Sequence, residues 1–187
     1  MNSIIVFGGS SHTGKTTLAR RLADLLQCKF VSFGDNVRSE AKKRGISVPT
    51  RKNLQDLGQE LIQTDVLSFC REVLETVGFS PGERLVIDGI RHREAFQAIS
   101  DLSGGQSIKL IYLYAPVEIR NSRRGTSGSN SDVRNIDAHE VESQTNSQIR
   151  DMADLALDAS RDVDEVFAQI ANWARQECQE HSARQRC

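Results

Sequence analysis

The sequence has no closely paired cysteines, no excess of basic residues and no long hydrophobic run. Its four cysteines, Cys28, Cys70, Cys178 and Cys187, form no C-x-x-C pair, which argues against a zinc site, a redox couple or a disulfide framework. Lys and Arg number 24 against 25 Asp and Glu, a net charge of -1, so the charge balance does not favour nucleic acid or an anionic membrane as a partner. No stretch reaches the ~20 apolar residues that span a bilayer, and the N-terminus lacks the basic start of a signal peptide. We therefore expect a cytoplasmic protein.

The composition of the chain is that of one globular domain. The chain has 187 residues, of which 38% are hydrophobic and 26% charged, and this length can bury a sizeable core. We therefore predict a single domain over residues 1–187. Its last residues, 177–187, have little to bury, and we expect them to fray.

Short apolar segments alternate with longer segments of helical period, a pattern typical of βαβ units around a parallel sheet. The predicted strands are residues 3–8, 29–33, 84–88, 108–114 and 154–159. The predicted helices run from 14 to 26, from 50 to 77, onward from Pro116, and from 163 to 174. The last strand alternates in polarity and could also be a helix end. The sequence thus predicts an α/β P-loop fold with a five-stranded parallel sheet flanked by helices.

The segment GSSHTGKT at residues 9–16 fits the pattern G-x-x-x-x-G-K-[ST] between an apolar strand and a helix. In such a loop, backbone N–H groups and the helix N-terminus surround phosphate oxygens. Lys15 reaches the terminal phosphates, and Thr16 can coordinate Mg²⁺. This motif predicts ATP and Mg²⁺ as cofactors. The predicted phosphate-binding residues are Gly9, Ser10, Ser11, His12, Thr13, Gly14, Lys15, Thr16 and Thr17.

A second metal-binding element is expected at the end of another strand. Asp88 follows three apolar residues, 85–87, as in the Walker-B pattern, where the carboxylate organises the metal ion and its waters. We predict Thr16 and Asp88 as the metal-binding residues. The alternative is that Asp88 only caps a turn.

Several arginines indicate a second anion facing ATP. Arg38 follows the second strand, Arg91 follows the Walker-B acid, and Arg120, Arg123 and Arg124 cluster on the helix after Pro116. Transfer between two polyanions requires neutralisation of both, to which bidentate arginines are suited. Arg120 and Arg124 lie one helical turn apart and share a face. The alternative for each arginine is a solvated position or a pair with a nearby acid.

Three further residues have two interpretations each. Asp35 is either a helix N-cap or a general base that deprotonates a hydroxyl acceptor. A monophosphate acceptor needs no such base, because its phosphate oxygen is already ionised near neutral pH. Arg51 and Gln55 lie one turn apart, and they either line an acceptor pocket or occupy an exposed helix face.

These segments resemble those of known kinases. Residues 31–38 resemble the adenylate-kinase segment in which an arginine follows Gly-Asp, and residues 85–91 resemble its Asp-Gly-x-x-Arg segment. Residues 49–58 are similar to the R-x-x-L-Q-x-x-G helix of phage-type deoxynucleoside monophosphate kinases. The chain therefore resembles the P-loop nucleoside monophosphate kinase family. It also resembles small archaeal P-loop kinases that have been likened to dephospho-CoA kinase.

The resemblance implies ATP-dependent phosphotransfer to a nucleoside or deoxynucleoside monophosphate. It implies that Arg38 and Arg91 hold the acceptor phosphate and that Arg120, Arg123 and Arg124 belong to a lid. Within the domain we predict an acceptor-binding insert over 35–78 and a lid over 117–137. Phe33 departs from the family pattern, because adenylate kinase has threonine at that position.

Two other functions stay open from the sequence. One is a hydroxyl kinase of the dephospho-CoA type, for which Asp35 would be the base. The other is a nucleotide-dependent switch that binds a protein partner, although the chain has no N-K-x-D motif and such a switch has no use for acceptor arginines. The expected partner is a nucleotide or another small-molecule phosphate acceptor, and neither nucleic acid nor a membrane is expected. The sequence does not indicate an oligomeric state.

Overall fold

The computed structural model describes residues 3–123 and 148–184, with side chains as far as residue 177. The strands are β1 (Ile4–Gly9), β2 (Lys29–Ser32), β3 (Leu85–Ile90), β4 (Ile108–Tyr114) and β5 (Leu155–Asp158). The helices of the described part are α1 (Lys15–Leu26), α2 (Phe33–Lys43), α3 (Arg51–Glu75), α4 (Arg93–Leu102), α5 (Val117–Arg123) and α6 (Val163–Arg184). None of the described helices is both long and apolar enough to cross a membrane.

The strands form one parallel sheet in the order β2-β3-β1-β4-β5. Strand β1 lies at its centre, and all six of its residues are buried, as expected for a strand covered on both faces. The connection that leaves β1 runs to β2 on one side of the sheet, whereas the connection that leaves the adjacent strand β3 runs to β4 on the other side. The carboxyl ends of β1 and β3 therefore flank the topological switch point, where open α/β sheets bind ligands. The predicted five-stranded parallel sheet is confirmed, and the fifth predicted strand is a strand and not a helix end.

The core has two layers because successive residues of β1 face opposite sides of the sheet. Ile4 and Val6 pack in a cluster with residues of α2, α3 and α4. Ile5 and Phe7 pack in a second cluster with residues of α1 and α6. Cys70 of α3 is fully buried in the first layer, and this burial raises the pKa of its thiol to about 12. That cysteine therefore stays protonated and structural.

Three elements of the structure differ from the sequence-based predictions. Helix α4 was not predicted, because two of its inward positions, Ala95 and Ala98, are small and give a weak apolar pattern. The second strand ends one residue early, since the Ser32 hydroxyl accepts from the backbone N–H of Asp35 and begins α2. The last helix, predicted over 163–174, continues as α6 to Arg184, and the fraying expected over 177–187 stays a prediction.

Helix α3 is two helical segments rather than the single long helix predicted. Asp65 has extended backbone geometry, with φ -159° and ψ 88°. Its Oδ1 atom accepts a hydrogen bond from the backbone N–H of Ser68 at 2.9 Å. Asp65 is thus the N-cap of the second segment, a position that favours aspartate. Both segments lie within the predicted insert over 35–78, where α2 and α3 pack against each other.

Candidate active site

The loop at the end of β1 turns sharply beneath β4. Gly9 has φ 126°, and a Cβ placed there would fall 2.0 Å from the carbonyl oxygen of Leu113, so only glycine fits. His12 and Gly14 also have positive φ angles, 61° and 85°. The buried Thr13 hydroxyl donates to the Ser10 carbonyl at 2.9 Å. These conformations curl the loop at the switch point of the sheet, as a phosphate-binding loop requires.

Lys15 is the first residue of α1 and is 8% exposed. Its Nζ atom donates to the Ser10 carbonyl oxygen and to Thr13 Oγ1, the latter at 3.5 Å. Gly14 precedes it as an N-cap without a side-chain hydrogen bond, so side-chain atoms do not block the N-terminal N–H groups of α1. A helix N-terminus and a folded-over ammonium group together form a strong anion site.

Thr16 and Asp88 meet beside this loop. The Thr16 hydroxyl donates to Asp88 Oδ2 at 2.6 Å, and the Asp88 residue is 4% exposed. Its other oxygen, Oδ1, is buried and has no hydrogen-bond partner among the residues that the structure describes. A buried carboxylate oxygen without a partner is costly, and a hard cation such as Mg²⁺ would satisfy it. Thr16 and Asp88 therefore fit the predicted metal site.

Thr16 and Asp88 are the two side chains that the described part of the chain brings together for such an ion. Within residues 3–123 and 148–184 there is no cluster of three metal-binding side chains. This arrangement fits Mg²⁺, which proteins commonly hold through one or two side chains together with substrate phosphates and water.

A β-bulge after Asp88 redirects the chain at the end of β3. Phe7 of β1 pairs with Asp88, but the next residue of β1 pairs with Ile90, so Gly89 is the extra residue. Gly89 has φ 92°, a conformation that favours glycine. Bulges commonly re-aim side chains next to active sites, and here Arg91 follows the bulge and lines the cleft described next.

Two adjoining cavities open at this edge of the sheet. The first, about 390 Å³, lies over the phosphate loop and includes Lys15, Thr16 and Asp88 in its lining; we call it the phosphate cleft. The second, about 160 Å³, lies between α2, α3 and the start of α4 and is mostly apolar; we call it the apolar pocket. Both linings include Gly34, Arg38, Arg51, Gly89 and Arg91.

Three arginines therefore line the region that the two cavities share. Arg38 comes from α2, Arg51 from the first turn of α3 and Arg91 from the segment between β3 and α4. The sequence predicted Arg38 and Arg91 at an acceptor phosphate and left Arg51 open between an acceptor pocket and an exposed helix face. The structure places all three in the lining that also includes Lys15. Converging arginines next to a lysine form a region suited to two phosphate groups.

Asp35 holds Arg38 rather than capping its helix. The N-cap of α2 is Ser32, so the N-cap interpretation of Asp35 is wrong. Its Oδ1 atom accepts from Arg38 Nη2 at 2.6 Å, and its Oδ2 atom lies 3.5 Å from Arg20 Nη2. Asp35 is in the lining of neither cavity. Its carboxylate therefore faces two arginines, at half exposure.

The start of α3 is fixed by a capping box. The Thr50 hydroxyl accepts from the backbone N–H of Asn53, whose side chain accepts from the Thr50 N–H. This places Arg51 and Gln55 on one face along the apolar pocket. The pocket also includes Gln59, one turn further, which we did not predict, although the i, i+4 spacing from Gln55 would have indicated it.

Two of the three predicted lid arginines, Arg120 and Arg123, lie outside both cavity linings. Arg120 is 7% exposed and donates from Nε to the Ala115 carbonyl at 3.2 Å, and Arg123 donates from Nη1 to the Ala159 carbonyl at 2.6 Å. Arg123 thereby joins α5 to the loop after β5, contrary to its predicted lid role. Arg124 and most of the predicted lid, 117–137, lie outside the described residues.

The loop after β5 is held by local hydrogen bonds. The backbone N–H of Ser160 donates to Asp158 Oδ1 at 2.9 Å. This bond and one from the Ser160 side chain lower the pKa of the Asp158 carboxyl, with help from the charges of Arg161 and Arg123. The carboxylate thus stays ionised at the end of β5 and keeps this loop in place at neutral pH.

Comparisons with known proteins place the chain in a family. The profile of a family described as an AAA domain matches residues 5–147. A UPF0200 protein of Pyrobaculum aerophilum is 33% identical over 132 residues, 71% of this chain and 70% of the relative. A cytidylate kinase of Desulfurococcus amylolyticus is 34% identical over 62% of this chain and 56% of its own length.

The fold is shared with solved kinases. The shikimate kinase of Aquifex aeolicus aligns with a TM-score of 0.54 and 15% identity, over 94% of this chain and 98% of that one. At that identity the likeness shows the fold alone. Together with the phosphate loop and the converging arginines, these relatives confirm the resemblance to P-loop kinases. The chain belongs to the AAA domain family and, with its UPF0200 relatives, to the P-loop proteins that resemble nucleoside monophosphate kinases.

Proposed function

We propose that this P-loop kinase transfers the γ-phosphoryl group of ATP to a nucleoside or deoxynucleoside monophosphate. The observation that carries the proposal is the position of Arg38, Arg51 and Arg91, which line both the phosphate cleft and the apolar pocket. A kinase for a phosphorylated acceptor needs positive charge between two phosphate groups, and these arginines supply it. The cytidylate kinase relative supports the same acceptor class.

ATP would bind with its phosphates in the loop of residues 9–16. Lys15 and the N-terminus of α1 would contact the β- and γ-phosphates, and Thr16 with Asp88 would hold Mg²⁺. The ion, when bound, offsets negative charge on the β- and γ-phosphate oxygens. Arg120 and Arg124 stay predictions for a lid that excludes water.

The acceptor phosphate would be fixed in line by Arg38 and Arg91. One of its oxygens attacks the γ-phosphorus, the bond between that phosphorus and the bridging oxygen breaks, and ADP leaves with the bond's electron pair. Lys15 compensates for the charge on the transferred group, as preorganised donors do. The products are ADP and a nucleoside diphosphate.

The residues that line the two cavities favour a phosphate acceptor over a hydroxyl acceptor. Among the described residues, Asp88 is the one carboxylate in either lining, and its geometry fits the metal. A hydroxyl acceptor requires a base within hydrogen-bond reach, whereas an ionised phosphate oxygen requires none. This supports a monophosphate acceptor. As part of the proposal, the partner is a small-molecule substrate in the cytoplasm, and neither nucleic acid nor a membrane is a partner. The insert over 35–78 would then form the acceptor side.

The variant Asp35→Asn distinguishes the two acceptor classes. We expect kcat to change less than about 3-fold and the KM for the monophosphate to rise about 2- to 10-fold, because an exposed ion pair that positions Arg38 contributes little. A general base would be worth about 10²- to 10⁴-fold in kcat. Steady-state kinetics with saturating ATP measures both quantities. A loss of kcat in that larger range would contradict the monophosphate proposal.

The direct test of the function is a screen of acceptors. Purified protein with ATP and Mg²⁺ is incubated with the common ribo- and deoxyribonucleoside monophosphates, dephospho-CoA, shikimate and gluconate, and products are separated by anion-exchange chromatography. We expect diphosphate formation from at least one monophosphate. Turnover of dephospho-CoA, shikimate or gluconate alone would refute the proposal, and slow release of inorganic phosphate without any acceptor product would favour a switch.

A further inference from the structure

The amide of Gln55 lies in the wall of the apolar pocket without a partner. Its Nε2 atom is buried and makes no hydrogen bond within the described part of the chain. A buried donor without a partner costs about 1–3 kcal/mol, and such groups are rare in native proteins. Because Gln55 as a residue lines the apolar pocket, a ligand that fills this pocket is expected to supply the missing partner.

The rest of the pocket determines what kind of ligand fits. Phe33 and Phe69 contact each other edge to face, with ring centroids 5.6 Å apart. Val37, Leu54 and Ile62 complete most of the apolar lining. Hydroxyl groups of a sugar or polyol against these side chains would lose hydrogen bonds to water. A flat heterocycle can bury its faces there and present polar atoms only at its edge.

Along one face of α3 the side chains change from charged, at Arg51, to polar but uncharged, at Gln55. Arg51 lines both cavities, whereas Gln55, one turn later, lines only the apolar pocket. A ligand with a phosphate at Arg51 would therefore extend its uncharged end toward Gln55. This direction matches a nucleotide whose phosphate lies at the arginines and whose base enters the apolar pocket.

We infer that Gln55 reads the base of the acceptor, donating a hydrogen bond from Nε2 to a ring nitrogen or exocyclic carbonyl on the edge of a planar heterocycle held in the apolar pocket. This inference rests on the proposed function. It makes Gln55 the residue that discriminates among bases, in addition to the arginines that bind the phosphate.

The test compares Gln55→Leu with two other variants. Gln55→Leu keeps the size of the side chain and removes the donor, and Gln55→Glu keeps its shape and replaces the donor with an acceptor. Gln63→Leu is the matched control, because Gln63 lies on the same helix, is exposed and lines neither cavity. For each protein, kcat/KM is measured for the acceptor monophosphates, together with the KM for ATP.

We expect both Gln55 variants to lower kcat/KM for the preferred monophosphate about 10- to 100-fold and to reduce the preference between bases. The KM for ATP stays within about twofold, and Gln63→Leu behaves as the native protein. Without ligand, Gln55→Leu should unfold about 1–4 °C higher, since an unpaired buried donor is removed. Unchanged kcat/KM ratios among the bases in both variants would overturn the inference.

A binding measurement separates this inference from the proposed function. The rise in unfolding temperature with each monophosphate is measured for the native protein and for Gln55→Leu. If the native protein phosphorylates no monophosphate, the proposed function fails, yet a base-dependent rise that Gln55→Leu loses still supports the inference. An equal rise in both proteins, or no rise in either, overturns it.

Discussion

Lys15→Ala is expected to lower kcat for phosphoryl transfer by about 10³-fold, close to the loss produced when one preorganised donor is removed from an oxyanion site. The Lys15 ammonium folds over the loop and contacts the Ser10 carbonyl, within reach of the position that a terminal phosphate would take. Its positive charge stabilises the negative charge that shifts among the phosphate oxygens during transfer. Without it, neither the carbonyl nor a water molecule can supply a cation at that point.

The fold should survive this substitution. The residue begins α1 without contributing its side chain to either core cluster, so the unfolding temperature should stay within about 3 °C of the native value. Lys43→Ala, which removes an exposed lysine from α2, is the control for loss of charge. A variant Lys15→Ala that keeps more than a tenth of the native kcat would remove the loop from the mechanism.

The double variant Arg38→Ala/Arg91→Ala is expected to have the second largest effect. Each arginine can donate charge-assisted hydrogen bonds to the acceptor phosphate, worth about 1.5–3 kcal/mol each. The loss of both should lower kcat/KM for the monophosphate by about 10²- to 10⁴-fold. The binding of ATP, whose phosphates are held by the loop, should weaken much less, by about threefold or less.

Arg93→Ala is the control for that experiment. Arg93 lies two residues after Arg91, is exposed and lines neither cavity. Its removal changes net charge near the site without removing a lining side chain, so kcat/KM should stay within about twofold. Equal losses of acceptor and ATP binding in the double variant would show that both arginines serve the donor nucleotide instead.

The sequence was most informative where local chemistry dictates geometry. Residues 9–16 combine glycines that adopt positive φ angles with a lysine and a threonine, and this pattern has few uses other than binding phosphate. The central strands β1, β3 and β4 were predictable because buried parallel strands are largely continuous apolar segments, whereas the alternating β5 left a helix end open. Helical spacing predicted that Arg51 and Gln55 share a face of α3, but only the structure shows that this face lines the apolar pocket.

The sequence was less informative where long-range contacts decide a side chain's role. Asp35 fits an N-cap position, but Ser32, three residues earlier, takes the cap and leaves Asp35 to pair with Arg38. Arg123 carries the charge of a lid residue, yet it binds the carbonyl of Ala159, 36 residues away in sequence. No local pattern predicts that contact, because it exists only once β5 has joined the sheet.

The shared boundary of the two cavities could not be predicted from spacing either. Arg38, Arg51 and Arg91 come from three separate segments, and only the packing of α2 and α3 against the end of β3 brings them together. The unpaired amide of Gln55 is likewise visible only in the folded chain. Motifs therefore predicted the residues of the site, whereas packing determined which of them act on the same ligand.

Under the proposed function, a second phosphorylated ligand binds next to the phosphate loop and is held by these arginines. The most direct measurement is the affinity of a linked compound in which adenosine is joined through a polyphosphate chain to the preferred acceptor nucleoside, compared with that of ATP. Because one molecule would fill both cavities, we expect a Kd at least about 10²-fold lower than for ATP, with this gain lost in Arg38→Ala/Arg91→Ala. A linked compound that binds no more tightly than ATP would contradict the presence of this second ligand site.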